Sequence, residues 1–273
     1  MILNIYKKGD IFECQFTYSG ENWEQWVLLS SDIHFDSRVC DRKLLTKHFT
    51  QAKEKDAPIF VFGDFFDAMG TKKDPRSQMS HIRPEYTTKE GYLNLISNDA
   101  IDFCKDYPVA FVSEGNHEQN ITKRHEIDII ELLCRGIDAK QGGWAGYLRL
   151  AFTDANGSAR RKFDLYYNHG GGGNSPVTKG TIQTNRRGVA FDADIFVSGH
   201  NHNRWVMELM RQRVDKMGNV KSRPQNHINL GTYKGQDDWE RQMGFPSPNK
   251  GGVWLRFYRT THPADIKVQV INA

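Results

Sequence analysis

Ile59-Phe60-Val61-Phe62-Gly63-Asp64-Phe65-Phe66-Asp67 is the stretch on which the reading of this chain turns. Four apolar residues after Pro58, without polar alternation, read as a strand buried on both faces, as in a parallel sheet. The strand ends in glycine and carboxylate. In open α/β sheets ligands bind beyond the carboxyl ends of the strands, so Asp64 and Asp67 stand where chemistry would be built. Four further apolar segments in the sequence run into short groups of Asp, Asn or His.

The chain has 273 residues and a net charge of +4. That length buries a substantial core, and the apolar and charged fractions are ordinary for a globular protein. No run of about 18 apolar residues predicts a membrane span. The N-terminus lacks the basic and apolar regions of a secretory signal, so the expected location is cytoplasmic. Cys14, Cys40, Cys104 and Cys134 are far apart and form no Cys-x-x-Cys pair, which argues for reduced, buried thiols and against a disulfide framework or a zinc knuckle. The mild positive charge permits an anionic substrate without demonstrating one.

Working outward from the anchor strand, alternation around Lys7-Lys8-Gly9-Asp10 predicts an N-terminal hairpin within residues 1–20, decorating a sheet edge. Trp26 to Ser31 is a second buried strand, delivering Asp32-Ile33-His34; a spacing of two in extended chain points both side chains the same way. Leu44, Leu45, Phe49 and Ala52 predict an amphipathic helix over 40–55, which makes a crossover to the anchor strand. His48 lies in it and reads as a packing residue. Residues 68–88 are polar, broken by Pro75 and Pro84, and long for a connection. Their position offers Lys72, Lys73, Arg76, His81 and Arg83 as substrate contacts.

Tyr92, Leu95, Ile96, Ala100 and Phe103 predict a helix over 89–105. Val109 to Ser113 is a strand that empties into Glu114-Gly115-Asn116-His117-Glu118, and a third helix is expected around 124–134. From Gly143 the pattern becomes that of a meander: 147–152 and 163–167 flank a polar turn, with no helix between, as in an antiparallel second sheet. Its second strand ends in Asn168-His169 and the glycines 170–173. Ile195 to Ser198 ends in Gly199-His200-Asn201-His202. Beyond it come a long hairpin, Trp205 to Val214 and Val220 to Tyr233, and strands Val253 to Tyr258 and Ile266 to Ile271. Residues 204–273 are expected to complete the second sheet. One domain of two sheets, 1–273, is the economical organisation.

The polar residues that terminate buried strands are Asp32, His34, Asp64, Asp67, Asn116, His117, His169, His200 and His202. Imidazole, carboxylate and amide without thiolate suit divalent manganese or iron, with zinc as an alternative. Seven ligands exceed the need of one ion, whereas two ions sharing a carboxylate would use all of them. Two metals about 3.5–4 Å apart clamp an in-line displacement at phosphorus and acidify a bridging water to hydroxide. The leaving oxygen needs a proton, and His117 beside Asn116 is the natural general acid. Asp67 is open to the role of the carboxylate that orients it.

These residues resemble the five ordered motifs of the calcineurin-like metallophosphoesterase superfamily: Asp32-x-His34, Gly63-Asp64-x-x-Asp67, Gly115-Asn116-His117-Glu118, His169, and Gly199-His200-x-His202. The motifs span residues 32–202. The resemblance implies an α/β fold, a two-sheet β-sandwich flanked by helices in four layers, with metals at the strand ends. It implies Asp32, His34, Asp64 and His202 around one metal. Asp64 as bridge, with Asn116, His169 and His200, would hold the other, with His117 as proton donor and Asp67 as its partner. The protein phosphatases of the superfamily usually follow the second motif with an arginine; Ala68 stands here, so the pattern looks nearer the nuclease and small-substrate branches.

The expected activity is hydrolysis of a phosphate ester, leaning to phosphodiesters or nucleic acid because Lys72, Lys73, Arg76, Arg186, Arg187 and Arg204 fall near these loops. Arg76, Arg186, Arg187 and Arg204 are the candidate substrate contacts. A phosphomonoesterase acting on a nucleotide, small molecule or protein is the alternative, as is a metal-binding scaffold of the same fold without catalysis.

Overall fold

The anchor strand is buried as its composition requires. In the computed structural model, β4 (Ile59–Phe62) is fully covered on both sides: Ile59 and Val61 point into a core shared with helices, Phe60 and Phe62 into a core shared with a second sheet. The structure describes residues 4–18, 20, 22–71, 77, 79–87, 91–154, 159–171, 181–260 and 266–273.

The strands run in chain order as β1 (Asn4–Lys8), β2 (Ile11–Tyr18), β3 (Glu24–Ser30), β4, β5 (Val109–Ser113), β6 (Lys140–Gly142), β7 (Ala145–Asp154) and β8 (Ala159–Asn168), then β9 (Ile195–Ser198), β10 (Trp205–Val214), β11 (Val220–Asn229), β12 (Val253–Arg259) and β13 (Ile266–Asn272). The helices are α1 (Arg42–Glu54), α2 (Pro84–Thr87), α3 (Tyr92–Cys104), α4 (Asn116–His125), α5 (Ile129–Ile137), α6 (Thr181–Ala190) and α7 (Asp238–Gln242). One sheet has six strands in the order β13-β12-β3-β4-β5-β6, the other seven in the order β1-β2-β7-β8-β9-β11-β10. β3 to β6 are parallel, and short apolar strands joined by helices give that outcome.

The sheets face each other across Phe16, Phe60, Phe62, Phe111, Phe152 and Phe257, all fully buried; each contributes about 1.5–3 kcal/mol relative to exposure. On its other face the six-stranded sheet carries α1, α3 and α5, whose buried stripes include Phe49, Ile96 and Leu133. α1 begins where Asp41 accepts a hydrogen bond from the Leu44 amide, at 3.0 Å, and so satisfies a first-turn donor. α6 lies over the outer face of the seven-stranded sheet, near Tyr166, Phe196 and His227. The architecture is a β-sandwich with helices on both sides.

Several elements differ from expectation. The C-terminal strands do not all join the second sheet: β10 and β11 do, while β12 extends the first by pairing with β3 and β13 pairs with β12. Strand pattern alone does not say which edge a strand will meet. The helix expected at 124–134 is two, α4 starting at Asn116 and α5 at Ile129, so His117 sits inside a first helical turn. α6 was not foreseen, because Thr181–Ala190 is polar with no clear apolar stripe. β11 stops at Asn229, four residues early, because the chain turns there to brace the site. Within 68–88 lie a short 3-10 turn at Met79–His81 and α2; Lys72, Lys73 and Arg76 lie outside the described residues, as do Gly172, Gly173 and 155–158 of the polar turn.

Candidate metal centre

Five loops meet at one end of the sandwich, each leaving the carboxyl end of a strand: β3, β4, β5, β8 and β9. The first two loops are stitched side by side. The amides of Asp32, His34 and Phe35 donate to the carbonyls of Gly63, Asp64 and Phe65 at 3.1, 3.1 and 2.8 Å. The last two are joined by the Gly199 amide donating to the His169 carbonyl at 3.0 Å. Asp32, His34, Asp64, His200 and His202 all have positive φ, between 49° and 71°. Left-handed backbone in non-glycine residues costs about 1–3 kcal/mol each and persists where the surroundings hold it, typically at functional sites.

Glycines let the loops approach. A Cβ on Gly115 would lie 2.1 Å from Asp64 Oδ1, and one on Gly199 would lie 2.0 Å from Ser31 Oγ and 2.5 Å from Asp32 Oδ2. Only a hydrogen fits at either position, which explains why glycine precedes Asn116 and His200.

Three overlapping sets of potential ligand atoms result, each within 4.8 Å of one another: Asp32, His34 and His202; His34, Asp64 and His117; Asp64, His169 and His200. Asp64 belongs to two of the sets, on the side of both His34 and His169. Asn116 joins the third, its Oδ1 lying 2.8 Å from His200 Nδ1. All seven residues expected as ligands are therefore gathered, with Asp32, His34, Asp64 and His169 fully or almost fully buried.

The donor chemistry fits divalent cations. His169 Nδ1 donates to the Phe62 carbonyl at 3.0 Å. That leaves a lone pair on Nε2, which is buried, has no hydrogen-bond partner, and lies 3.1 Å from Asp64 Oδ2. His34 Nδ1 donates to Asp67 Oδ1 at 2.8 Å, which aims its Nε2 lone pair at His202 Nε2, 3.2 Å away. Two nitrogens bound to one ion at about 2.0–2.1 Å stand roughly 3.0–3.4 Å apart. Lone pairs converging at such distances repel unless a cation or a proton lies between them. Without an ion, protons fill the place: burial opposes charge on His169, but the nearby Asp64 and Asp32 carboxylates outweigh it and push the imidazole up to about 10. Asp64 is driven well below the carboxylate range; its burial is overcome by His169 and His117.

His117 and Asp67 are adjacent, but not as expected. The Asp67 carboxylate orients His34, not His117; its near oxygen is 3.9 Å from His117 Nδ1. What holds His117 is the Asp67 main-chain carbonyl, which accepts from Nδ1 at 2.6 Å. A carbonyl only accepts, so Nδ1 carries the proton and Nε2 faces Asp64 Oδ2 at 3.9 Å. Asp67 is held against the first loop, where the Asp36 carboxylate accepts from the Asp67 and Ala68 amides, and this places its side chain beside His34.

Among the candidate substrate contacts, Arg204 donates to the carbonyls of Lys250 and Gly252 at 3.1 and 3.3 Å and so ties down the chain before β12. Arg186 is exposed and Arg187 half-buried on α6. Arg76 lies outside the described residues. His81 is half-buried in the 3-10 turn, and Arg83 pairs with Glu85 at 2.6 Å.

Sequence reasoning gave no role to three acids that support the loops. Glu118 is buried, and its two oxygens accept from the amides of Asp64 (3.1 Å), Phe66 (2.9 Å) and Gly115 (2.8 Å). Burial and the charge of Asp64 push it up to about 7. The signal was present: a glutamate three residues after the residue that precedes a helix, here Gly115, commonly caps it. Asp36 accepts from the amides of Asp67 (2.7 Å) and Ala68 (2.9 Å) and from Tyr92 Oη; no pattern announces it. Glu240 on α7 places Oε1 3.9 Å from His202 Nδ1, the ring nitrogen turned away from the other ligands. From the same segment, Thr232 Oγ1 and the Tyr233 amide donate to the Asp32 carbonyl at 2.6 and 3.0 Å.

Compared by sequence, no family model and no curated protein matches the chain. Compared by structure, it is similar to a metallophosphoesterase from Sphaerobacter thermophilus, with 13% identity, 91% of this chain and 88% of that one covered, and a TM-score of 0.41. A zinc complex of Vps29 from Entamoeba histolytica matches at 11% identity over 91% and 99% of the two chains, with a TM-score of 0.37. A Streptococcus pneumoniae protein described as a predicted phosphoesterase matches at 12% identity over 91% and 98%, with a TM-score of 0.32. One of the three is described as a metallophosphoesterase and another as a predicted phosphoesterase. At these identities and scores the likeness is loose, and the chemistry rests on this chain's own residues.

Proposed function

We propose that this protein is a metal-dependent phosphoesterase that uses two divalent cations. The observation that carries the reading is the convergence of Asp32, His34, Asp64, His169, His200 and His202 in overlapping sets that share His34 and Asp64, with Asn116 beside His200 and His169 Nε2 buried 3.1 Å from Asp64 Oδ2. Asp32, His34, His202 and Asp64 would hold one cation; Asp64, Asn116, His169 and His200 would hold the other. When bound, the pair supplies positive charge to phosphoryl oxygens and lowers the pKa of water. Manganese, iron and zinc all suit this donor set.

The protein's own groups do the rest. Asp67 fixes the His34 ring, the Phe62 carbonyl fixes His169, and the Asp67 carbonyl keeps the His117 proton on Nδ1. That leaves His117 Nε2, 3.9 Å from Asp64 Oδ2, as the atom from which a second proton passes to a leaving oxygen. His117 is therefore the proposed general acid, a role worth about 10²–10⁴ in rate. A preference for phosphodiesters or nucleic acid is part of the proposal and is supported by Arg186 and Arg187; Arg204, engaged with main-chain carbonyls, no longer supports it.

The test is to strip metal, restore manganese, iron or zinc in turn, and compare a generic phosphomonoester, a generic phosphodiester, a cyclic nucleotide and single-stranded DNA. Metal-dependent hydrolysis that is lost in His117→Ala while metal content is kept is the expected result. Hydrolysis unaffected by His117→Ala overturns the general-acid assignment, whereas stoichiometric metal binding with no turnover on any substrate favours a metal-binding scaffold and overturns the catalytic reading.

A further inference from the structure

Arg187 carries a charge that nothing in the described fold balances. It lies on α6 over the outer face of the seven-stranded sheet, and burial draws its pKa below the ordinary guanidinium value. Its hydrogen bond among the described residues is from Nη2 to Asn168 Oδ1, at 3.5 Å. No carboxylate among the described residues pairs with it, and the adjacent residues 172–180 contain neither Asp nor Glu. Three arginines of that sheet do have such partners: Arg149 pairs with Asp164, and both Arg211 and Arg213 with Asp192. Withdrawing a cation from water without a counter-ion is costly, and such residues are usually matched by an anion.

Its position suggests which anion. The point that a Cβ on Gly170 would occupy is 3.9 Å from Arg187 Nη2 and 3.2 Å from both His200 Cβ and the Gly199 carbonyl. The guanidinium therefore borders the end of the metal centre formed by His169 and His200. Asn168 Oδ1, which Arg187 approaches, also accepts from the Gly170 amide at 2.9 Å, so the carboxamide is fixed in place. On the other flank, Ala68 provides no cation after the second motif.

We propose that Arg187, steadied by Asn168, forms an anion subsite that grips the oxygens of a phosphoryl group on the His169 and His200 side of the centre. The inference rests on the phosphoesterase reading. A planar guanidinium offers two parallel N–H donors that match two oxygens of a tetrahedral oxyanion, which a lysine does not. Arg187 thus recognises substrate and takes no part in proton transfer, so its loss falls on KM before kcat.

The experiment uses the metal-loaded full chain as wild type, Arg187→Lys and Arg187→Gln. Metal content is measured first, then binding of inorganic phosphate by calorimetry, then KM and kcat on a generic phosphomonoester. Expected for Arg187→Gln is full metal content, phosphate affinity weakened about ten- to hundredfold, and a KM raised in parallel; Arg187→Lys falls between. Unchanged phosphate affinity in Arg187→Gln overturns the proposal, as does loss of metal together with phosphate, which marks a structural arginine. Weakened phosphate binding with unchanged KM overturns it as a substrate subsite. A wild-type chain that takes up no metal overturns the phosphoesterase reading itself, a result distinct from all of these.

Discussion

Glu118→Leu would leave three buried amides with nothing to bind. Glu118 Oε2 accepts from Asp64 and Gly115 and Oε1 from Phe66, at 3.1, 2.8 and 2.9 Å, in a side chain only 2% exposed. Each buried donor left unsatisfied costs about 1–3 kcal/mol, so three approach or exceed the roughly 3–5 kcal/mol of a broken buried pair. Against a total stability of about 5–15 kcal/mol, that is a large fraction. Glu118→Gln separates shape from acceptor count. Its amide oxygen keeps the shared contact to Asp64 and Gly115 and sets its NH2 against the Phe66 amide, losing one bond and about 1–3 kcal/mol. Urea unfolding in the presence of chelator, so that metal does not mask the difference, gives both numbers. The expected order is wild type, then Gln, then Leu, and metal affinity falls in the refolded Leu variant because the Asp64 and Gly115 amides lose their shared brace. A Leu variant as stable as Gln, or a Gln variant within about 0.5 kcal/mol of wild type, would refute the idea that this carboxylate holds the second and third loops together.

Three further outcomes follow from the geometry. Asp67→Asn should weaken metal binding about 10–100-fold, measured by competition with a coloured chelator, because His34 loses its carboxylate acceptor; His117, held through the main chain, should keep its role in the pH profile, and an unchanged affinity contradicts the assignment. His48, buried on α1 beside Tyr233 Oη at 3.1 Å, is pulled down to about 4 by burial and by Lys47 and Arg204. A histidine with a depressed folded pKa stabilises fully above about 6.5 and loses that stability as pH falls toward 4, an effect of about 3 kcal/mol when complete; unfolding at pH 7, 5.5 and 4.5 should show the decline, and His48→Gln should flatten it. Saturating manganese, at about a hundred times its dissociation constant, should stabilise the fold by about 2.7 kcal/mol over the chelated protein, seen as a higher Tm; equal Tm values would mean no ion binds.

The ligands were legible because each is announced by the same event, an apolar strand followed within a few residues by Asp, Asn or His, after glycine or serine in four cases and after Asn168 in the case of His169. Burial on both faces was legible in Ile59–Phe62 for the same reason. What was not legible came from tertiary contact. Whether Asp67 orients His34 or His117 depends on the bonds that hold the first and second loops side by side, through main-chain pairs and Asp36, which no spacing reveals. Asp36 and Glu240 act through partners 31 and 38 residues away in sequence, Asp67 and His202. The allocation of β12 and β13 to the first sheet is a choice of edge, and local pattern is silent on it. α6 forms from a sequence with little apolar periodicity and lies on the sheet through Gly188 near His227.

The division of the C-terminal strands has a consequence for how the protein is made. β3, which leads to Asp32, lies between β4 and β12, and β9, which leads to His200, lies between β8 and β11. A nascent chain that has just released His202 from the ribosome already holds every expected ligand yet lacks a flank for two of the strands that aim them. Pairings this distant form late and slowly. Ion capture would then await the last quarter of synthesis, and a prematurely terminated product would present its histidines without the geometry to use them.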